Sequence, residues 1–330
     1  MTRRLIEIES ITGKEHAVCD FIRRTAEEIG FEVSLHAVEG ERKNVVARIC
    51  DPKVVLTTHM DTVSPYIPFS EDGEYLYGRG ACDAKGILAA MIEAGRTLLE
   101  EGVKDFGLLF VVGEEKGSDG AKAAGRMNPG SRFFINGEPT ENRLALGSKG
   151  ALRFEIRTSG KSAHSAYPER GENAIDKLLD ILQDFRGHSF PRHRVLGETT
   201  LNIGILHGGT LANVVPDRAA AEVLIRLVSG TNGYKKTIDE IVHKRGEVVY
   251  HFECDPVLLE SLDGFETTVV AYTTDIPLLG RWGRPFLLGP GSILDAHCPE
   301  ERISKKQLMD AVPLYRRLVK RLLNEKETTA

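Results

Sequence analysis

The 330-residue chain has no apolar run long enough to cross a membrane. Its longest runs are short, as in GLLFVVG (107–113), against the ~20 residues that a spanning helix needs. Cysteine is sparse: Cys19, Cys50, Cys82, Cys254 and Cys298 are scattered, odd in number and form no CxxC pair. That argues against a disulfide framework and points to a reducing cytoplasm. The first residues, MTRRLIEIESITGKE, carry charges throughout and lack the apolar core of a secretory signal. A net charge of −5, with no basic stripe and no aromatic RNA-binding motif, excludes a general nucleic-acid binder. Internal repeats, low-complexity tracts and an evident linker are also missing. Neither nucleic acid nor membrane is therefore expected as a partner.

What remains is a soluble globular composition, 41% hydrophobic and 28% charged, long enough for two domains. Residues 14–30 place Val18, Phe21, Ile22, Ala26 and Ile29 at helical spacing, and Gly30 suits the stop. The segments FEVSLHAV, NVVARI, KVVLTT, GLLFVVGEE and SRFFINGEPT read as strands. ILAAMIEAGRTLLEEG and SDGAKAAGRM read as helices, and YLYGRGACDAKG as a glycine-rich loop. Strands alternating with helices from about 44 to 147 predict an α/β layered domain with a largely parallel sheet. The pattern changes near GSKG (147–150), where ALRFEIRTSG begins the order β-α-β-β-α-β, ending at EVVYHFEC. That order suits a ferredoxin-like sheet with helices on one face. After about 258 the helix–strand pattern returns and ends in KKQLMDAVPLYRRLVKRLL, where Pro313 predicts a kink or a later start. The organisation expected is one α/β domain from 1–149 and 259–330, interrupted by an α+β insert over 150–258.

Candidate functional residues stand at the ends of the α/β strands, where ligands bind in open sheets of this kind. LTTHMDTV (56–63) ends a buried strand in His59 and Asp61, which share a face because they are two apart. Asp83 lies in GRGACDAKG, Glu114 and Glu115 follow GLLFVVG, Glu138 follows FFING, and His297 sits in GPGSILDAHCPEE. Two histidines with several carboxylates suit two divalent ions with open positions better than one cysteine-rich structural zinc. Asp83, Glu115 and Glu138 against two divalent ions leave one positive charge, which a bridging hydroxide cancels. Neighbours on an extended segment point different ways, so one of Glu114 and Glu115 can bind metal while the other faces substrate as general base. His164, Arg226 and Asn213 carry no such signal by themselves: a lone loop histidine usually reads as surface, and a strand arginine reads equally as surface. The remaining seven histidines lack ligand partners in sequence. Cys82 and Cys298, each beside a proposed ligand, read as small buried thiols.

The ordered set HMDTV, YGRGACDAKG, GEEKGS, NGEPT, GKSAHSAYPERGENAI, GGTLANVVPDRA and GPGSILDAHCPEE resembles the dinuclear zinc aminoacylase and carboxypeptidase family. That family includes acetylornithine deacetylase and succinyl-diaminopimelate desuccinylase, and the likeness runs over nearly the whole chain. The resemblance implies a three-layer zinc-exopeptidase-like catalytic domain with an inserted ferredoxin-like lid and dimerisation domain, hence a homodimer. It implies His59 and Glu138 on one zinc, Glu115 and His297 on the second, Asp83 bridging, and Asp61 orienting His59. It gives Glu114 the role of general base and implies a cis Asp83–Ala84 peptide. His164 is implied to reach a partner subunit's site as an oxyanion donor, Arg226 to grip a substrate carboxylate, and Asn213 to help hold substrate. Co2+ or Mn2+ could replace Zn2+ in such a carboxylate-rich site.

The activity implied is removal of an acyl group from an N-acyl amino acid with a free carboxylate, closest to acetylornithine deacetylase. A desuccinylase, a carrier-linked lysine hydrolase and a dipeptidase or carboxypeptidase share almost every motif. A nucleotide-binding loop in GRGACDAKG lacks the third glycine and the GK[ST] that would support it. A non-catalytic scaffold of the same fold would be expected to have lost a ligand or Glu114, and none is lost.

Overall fold

The computed structural model describes residues 1–325. The chain divides into two compact units. The first comprises Met1–Leu146, Leu259–Thr268 and the chain from Thr274 onward, and the second Gly147–Leu258 with Val269–Thr273. The sequence had placed the two joints at 149/150 and 258/259, without the short return at 269–273.

The first unit is built on a six-stranded sheet. Its order is Glu32–Glu39, Arg42–Arg48, Phe106–Val111, Val54–His59, Phe133–Asn136, Arg284–Leu287. The last four are mutually parallel, while the first two form an antiparallel hairpin through Gly40, whose φ of 55° suits a tight reversal. Strands Val54–His59 and Phe106–Val111 are buried along their whole length, as parallel strands covered on both faces must be. Helices His16–Ile29, Lys85–Glu100 and Lys305–Leu323 contribute to the same core, where Ile22, Leu88, Tyr315 and Leu318 meet Leu56, Leu108, Ile135 and Phe286.

Lys305–Leu323 is one uninterrupted helix with Pro313 inside it, so the expected later start is not found. The physical reason is its orientation. Ala311, Tyr315, Leu318 and Leu322 face the core, whereas Pro313 is exposed and Met309, one turn earlier, is 74% exposed. The Met309 carbonyl that Pro313 cannot serve is thus on the water side.

The second unit has the order expected from its pattern. Strand Gly150–Ser159, helix Ala174–Gly187, strands Thr200–Gly208 and Arg218–Leu227, helix Thr231–Val242 and strand Glu247–Cys254 follow one another. They form an antiparallel four-stranded sheet in which Gly150–Ser159 and Arg218–Leu227 are central. Arg218–Leu227 alternates strictly, with Ala221, Val223 and Ile225 turned to Leu178, Ile181 and Ile238 of the helices. Asn173 caps the first helix by accepting the backbone N–H of Ile175 and Asp176. Among the described residues no helix is long and apolar enough to cross a membrane.

Candidate active site

The parallel strands of the first unit deliver their carboxyl ends to one edge. His59 closes its strand opposite Val111, so the segments after both strands leave the sheet side by side. His59 is 1% exposed. Its Nδ1 donates to the Asp61 carbonyl at 3.0 Å and lies 3.4 Å from the Asp61 carboxylate, which turns Nε2 towards Asp83 Oδ1 at 2.9 Å. The Asp61 carboxylate has further work. It accepts the backbone N–H of Glu114 at 3.1 Å and of Glu115 at 3.3 Å, and the Thr12 hydroxyl at 2.7 Å. Asp61 therefore orients the histidine and also fixes the turn that carries both glutamates.

Asp83 stands just before helix Lys85–Glu100, at the end that favours a carboxylate. The Asp83–Ala84 peptide is cis. Its second oxygen lies 3.3 Å from His297 Nε2, which is 2.9 Å from Glu115 Oε1. Asp83 is thus flanked by two imidazoles. His59, Asp83 and Glu115 place ligand atoms within 4.8 Å of one another, and His297 joins them through Asp83 and Glu115. Glu138, buried after strand Phe133–Asn136, accepts a long 3.4 Å hydrogen bond from Asn136. The loop at 289 can lie on the Glu138 backbone only because residue 289 is glycine: a Cβ there would collide with the Glu138 carbonyl.

The electrostatics are those of crowded, desolvated charge. Burial, followed by the neighbouring Glu138 and Asp275, pushes the Glu114 carboxyl well above the ordinary carboxylate range. Burial also raises Glu138, with Asp83 adding to the effect. Asp83 goes the other way. Burial would raise it, but hydrogen bonds to His297 and His59 outweigh that and hold it low. Hydrogen bonds to Asp83 and Glu115 push His297 up to about 10. Two imidazoles and several carboxylates facing one another, short of protein cations, form the donor set of a divalent-ion site.

Three supporting residues escaped the sequence reading. Glu301 is 1% exposed. One of its oxygens accepts the N–H groups of Cys82 and Asp83 at 3.2 and 3.1 Å, and the other accepts Arg79 at 2.5 Å. Arg79, 3% exposed, also donates to the carbonyls of Pro65 at 3.0 Å and Cys298 at 3.5 Å. Removing one partner of such a buried pair typically costs about 3–5 kcal/mol. Asp275 is 2% exposed, and burial, which outweighs the nearby Ser118 hydroxyl, pushes its carboxyl up to about 6. The signals were a carboxylate five residues after strand Thr267–Val270 (TTVVAYTTD) and charges inside or beside the motifs, neither specific enough alone. Cys82 is buried as expected, whereas Cys298 is only half-buried on its loop; each thiol donates to a backbone carbonyl, of Ser292 and Asp295, at 3.2 Å.

His164, Asn213 and Arg226 belong to the second unit. His164 bridges to Val214, and the Ser165 N–H donates to the Asn213 carbonyl at 3.0 Å, so His164 and Asn213 share one exposed loop pair. Arg226 is half-buried in strand Arg218–Leu227, opposite Thr200 and Ala151. No carboxylate pairs with its guanidinium among the described residues, and burial lowers its pKa.

Residues 146–251 match the peptidase dimerisation domain. A Schizosaccharomyces pombe protein named for its peptidase M20 domain is 38% identical over 96% of this chain and 82% of its own length. A protein of Aspergillus clavatus named "Probable carboxypeptidase" is 39% identical over 97% of this chain and 81% of its own. Among solved structures, the Bacillus subtilis YXEP protein aligns with a TM-score of 0.74 at 18% identity, covering 98% of this chain and 97% of that one. It is described as a dinuclear metal-binding peptidase of the M20 family.

Proposed function

Because the chain belongs to the M20 peptidase family, we propose that it is a two-metal hydrolase cleaving an amide bond beside a free carboxylate. The observation that carries this reading is the convergence of His59, Asp83, Glu115 and His297 at one sheet edge, with Glu114 on the same turn. His59 and Glu138 would hold one divalent ion, Glu115 and His297 the other, and Asp83 both. Zn2+ suits this mixture of imidazole and carboxylate, and Co2+ or Mn2+ would be accepted by the same set.

Bound divalent ions supply carbonyl polarisation and an acidic water. The chain's own residues do the rest. Glu114 takes the proton from the attacking water and returns it to the departing amine nitrogen, a role that suits a carboxyl which burial lifts above the ordinary carboxylate range. Asp61 keeps Glu114 on station through its backbone. His164 donates to the oxyanion of the tetrahedral intermediate, acting from a partner subunit, and Asn213 assists in holding substrate. Arg226, which pairs with no carboxylate among the described residues, takes the substrate's.

The substrate is a short peptide with a C-terminal carboxylate. The relatives named as carboxypeptidases support that choice over N-acetyl-ornithine, which carries the same carboxylate and belongs in the same assay. The match to a dimerisation domain supports a homodimer through the second unit. Five free cysteines support a reducing, cytoplasmic setting. The test is hydrolysis of dipeptides, N-acetyl-ornithine and a C-terminally amidated dipeptide, after metal removal and after reloading with zinc. Turnover of carboxylate substrates that vanishes with the metal and returns with zinc is expected. Turnover that survives complete metal removal would contradict the reading.

A further inference from the structure

The Arg79–Glu301 pair joins parts of the chain 222 positions apart, is buried on both sides and takes no part in the chemistry above. Its contacts share a pattern. Glu301 accepts the two N–H groups at Cys82 and Asp83, the peptide units that aim the Asp83 carboxylate. Arg79 donates to the Cys298 carbonyl, one residue beyond His297, and to Pro65. The Gly78 N–H donates to the Glu301 carbonyl, which ties the Arg79 segment to the same point. His297 itself sits in a left-handed turn, with φ of 60°. The loop around it is fastened by Asp295, which accepts Arg302 at 3.1 Å and Cys298 Sγ at 3.2 Å. By contrast, His59 and Glu138 are placed by their own strands and hydrogen-bond to neither member of the pair.

We propose that the Arg79–Glu301 pair is a positioning clamp that holds Asp83 and His297 at the separation one ion requires. It thereby sets the affinity of the ion between Asp83, Glu115 and His297. This rests on the two-metal reading of the site. The clamp hydrogen-bonds to the ligand segments through peptide N–H and C=O groups. In Glu301→Gln one oxygen becomes an NH2 group. Whichever way the amide turns, it loses either Arg79 or the two backbone donors. In Arg79→Lys the charge stays, but one ammonium cannot reach Glu301, Pro65 and Cys298 together.

The experiment titrates the full chain, stripped of metal, with Zn2+ against a chromophoric chelator, for wild type, Glu301→Gln, Arg79→Lys and His297→Ala. Folding is checked by circular dichroism. Wild type takes two ions. In either clamp variant the step at Asp83, Glu115 and His297 weakens about 10–100-fold, the usual effect of losing an outer-shell partner, while the other, which shares only Asp83 with it, weakens clearly less. His297→Ala weakens the same step, and combining it with Glu301→Gln leaves the surviving step where His297→Ala alone had it. Folded variants whose two steps match wild type would overturn the clamp and leave the pair a stabilising contact. Equal weakening of both steps would overturn its link to His297. Wild type that binds no zinc would remove the metal reading itself and the clamp with it. If Glu301→Gln does not fold, Arg79→Lys carries the same test.

Discussion

Asp61 Oδ1 accepts the backbone N–H of Glu114 at 3.1 Å. One carboxylate thus positions the histidine proposed to bind metal and the proposed base together. Asp61→Asn places an NH2 group among donors that need an acceptor. We expect kcat to fall about 10–100-fold with the protein folded. Steady-state kinetics at verified full metal occupancy check this; unchanged kcat would show that the Asp61 contacts are dispensable.

Arg226 has no carboxylate partner among the described residues and loses hydration to burial. Arg226→Ala should raise KM for a peptide with a free C-terminus by about 10–150-fold, the range for hydrogen bonds to a charged group. The C-terminal amide of the same peptide, which offers no carboxylate to Arg226, should be unaffected. Equal losses on both substrates would remove the carboxylate-binding role.

His164 lies on an exposed loop beside Asn213. If it acts across a dimer, His164→Ala and Glu114→Gln are each nearly inactive alone. Mixed dimers of the two should recover activity, because one of their two sites contains both residues. Activity is measured after subunit exchange, with mixed dimers quantified by native mass spectrometry. Verified mixed dimers without recovery would place His164 outside the partner's chemistry.

The exposed Pro313 leaves the Met309 carbonyl without its helical donor. Pro313→Ala restores that bond and should stabilise the fold by about 1–3 kcal/mol with kcat unchanged. Denaturant midpoints report the gain, and loss of stability would mean that the proline ring packs better than its exposure indicates.

The site was legible where chemistry coincides with a strand end. His59, Asp83, Glu115 and His297 each follow an apolar or glycine-rich stretch, and those four come together. The α+β insert was legible because Arg218–Leu227 and its neighbours alternate with a two-residue period that half-burial imposes. Glu301, Arg79 and Asp275 were not legible. A buried charge is recognised by its partner, and the partner of Arg79 lies 222 residues away, with no periodicity to connect the two. Of the two outcomes Pro313 suggested, the later start fails because a helix's tolerance for proline depends on which side faces water, and that is set by packing. Asp61 was given a single role because its contacts to the Glu114–Glu115 turn run across neighbouring strands.

The central claim is that Glu114 moves the proton while other residues hold the metal. Glu114→Gln separates the two. The account predicts a folded protein that still carries two divalent ions per chain by mass spectrometry, with kcat lowered about 10²–10⁴-fold on a dipeptide substrate. Two bound ions with undiminished kcat would contradict it.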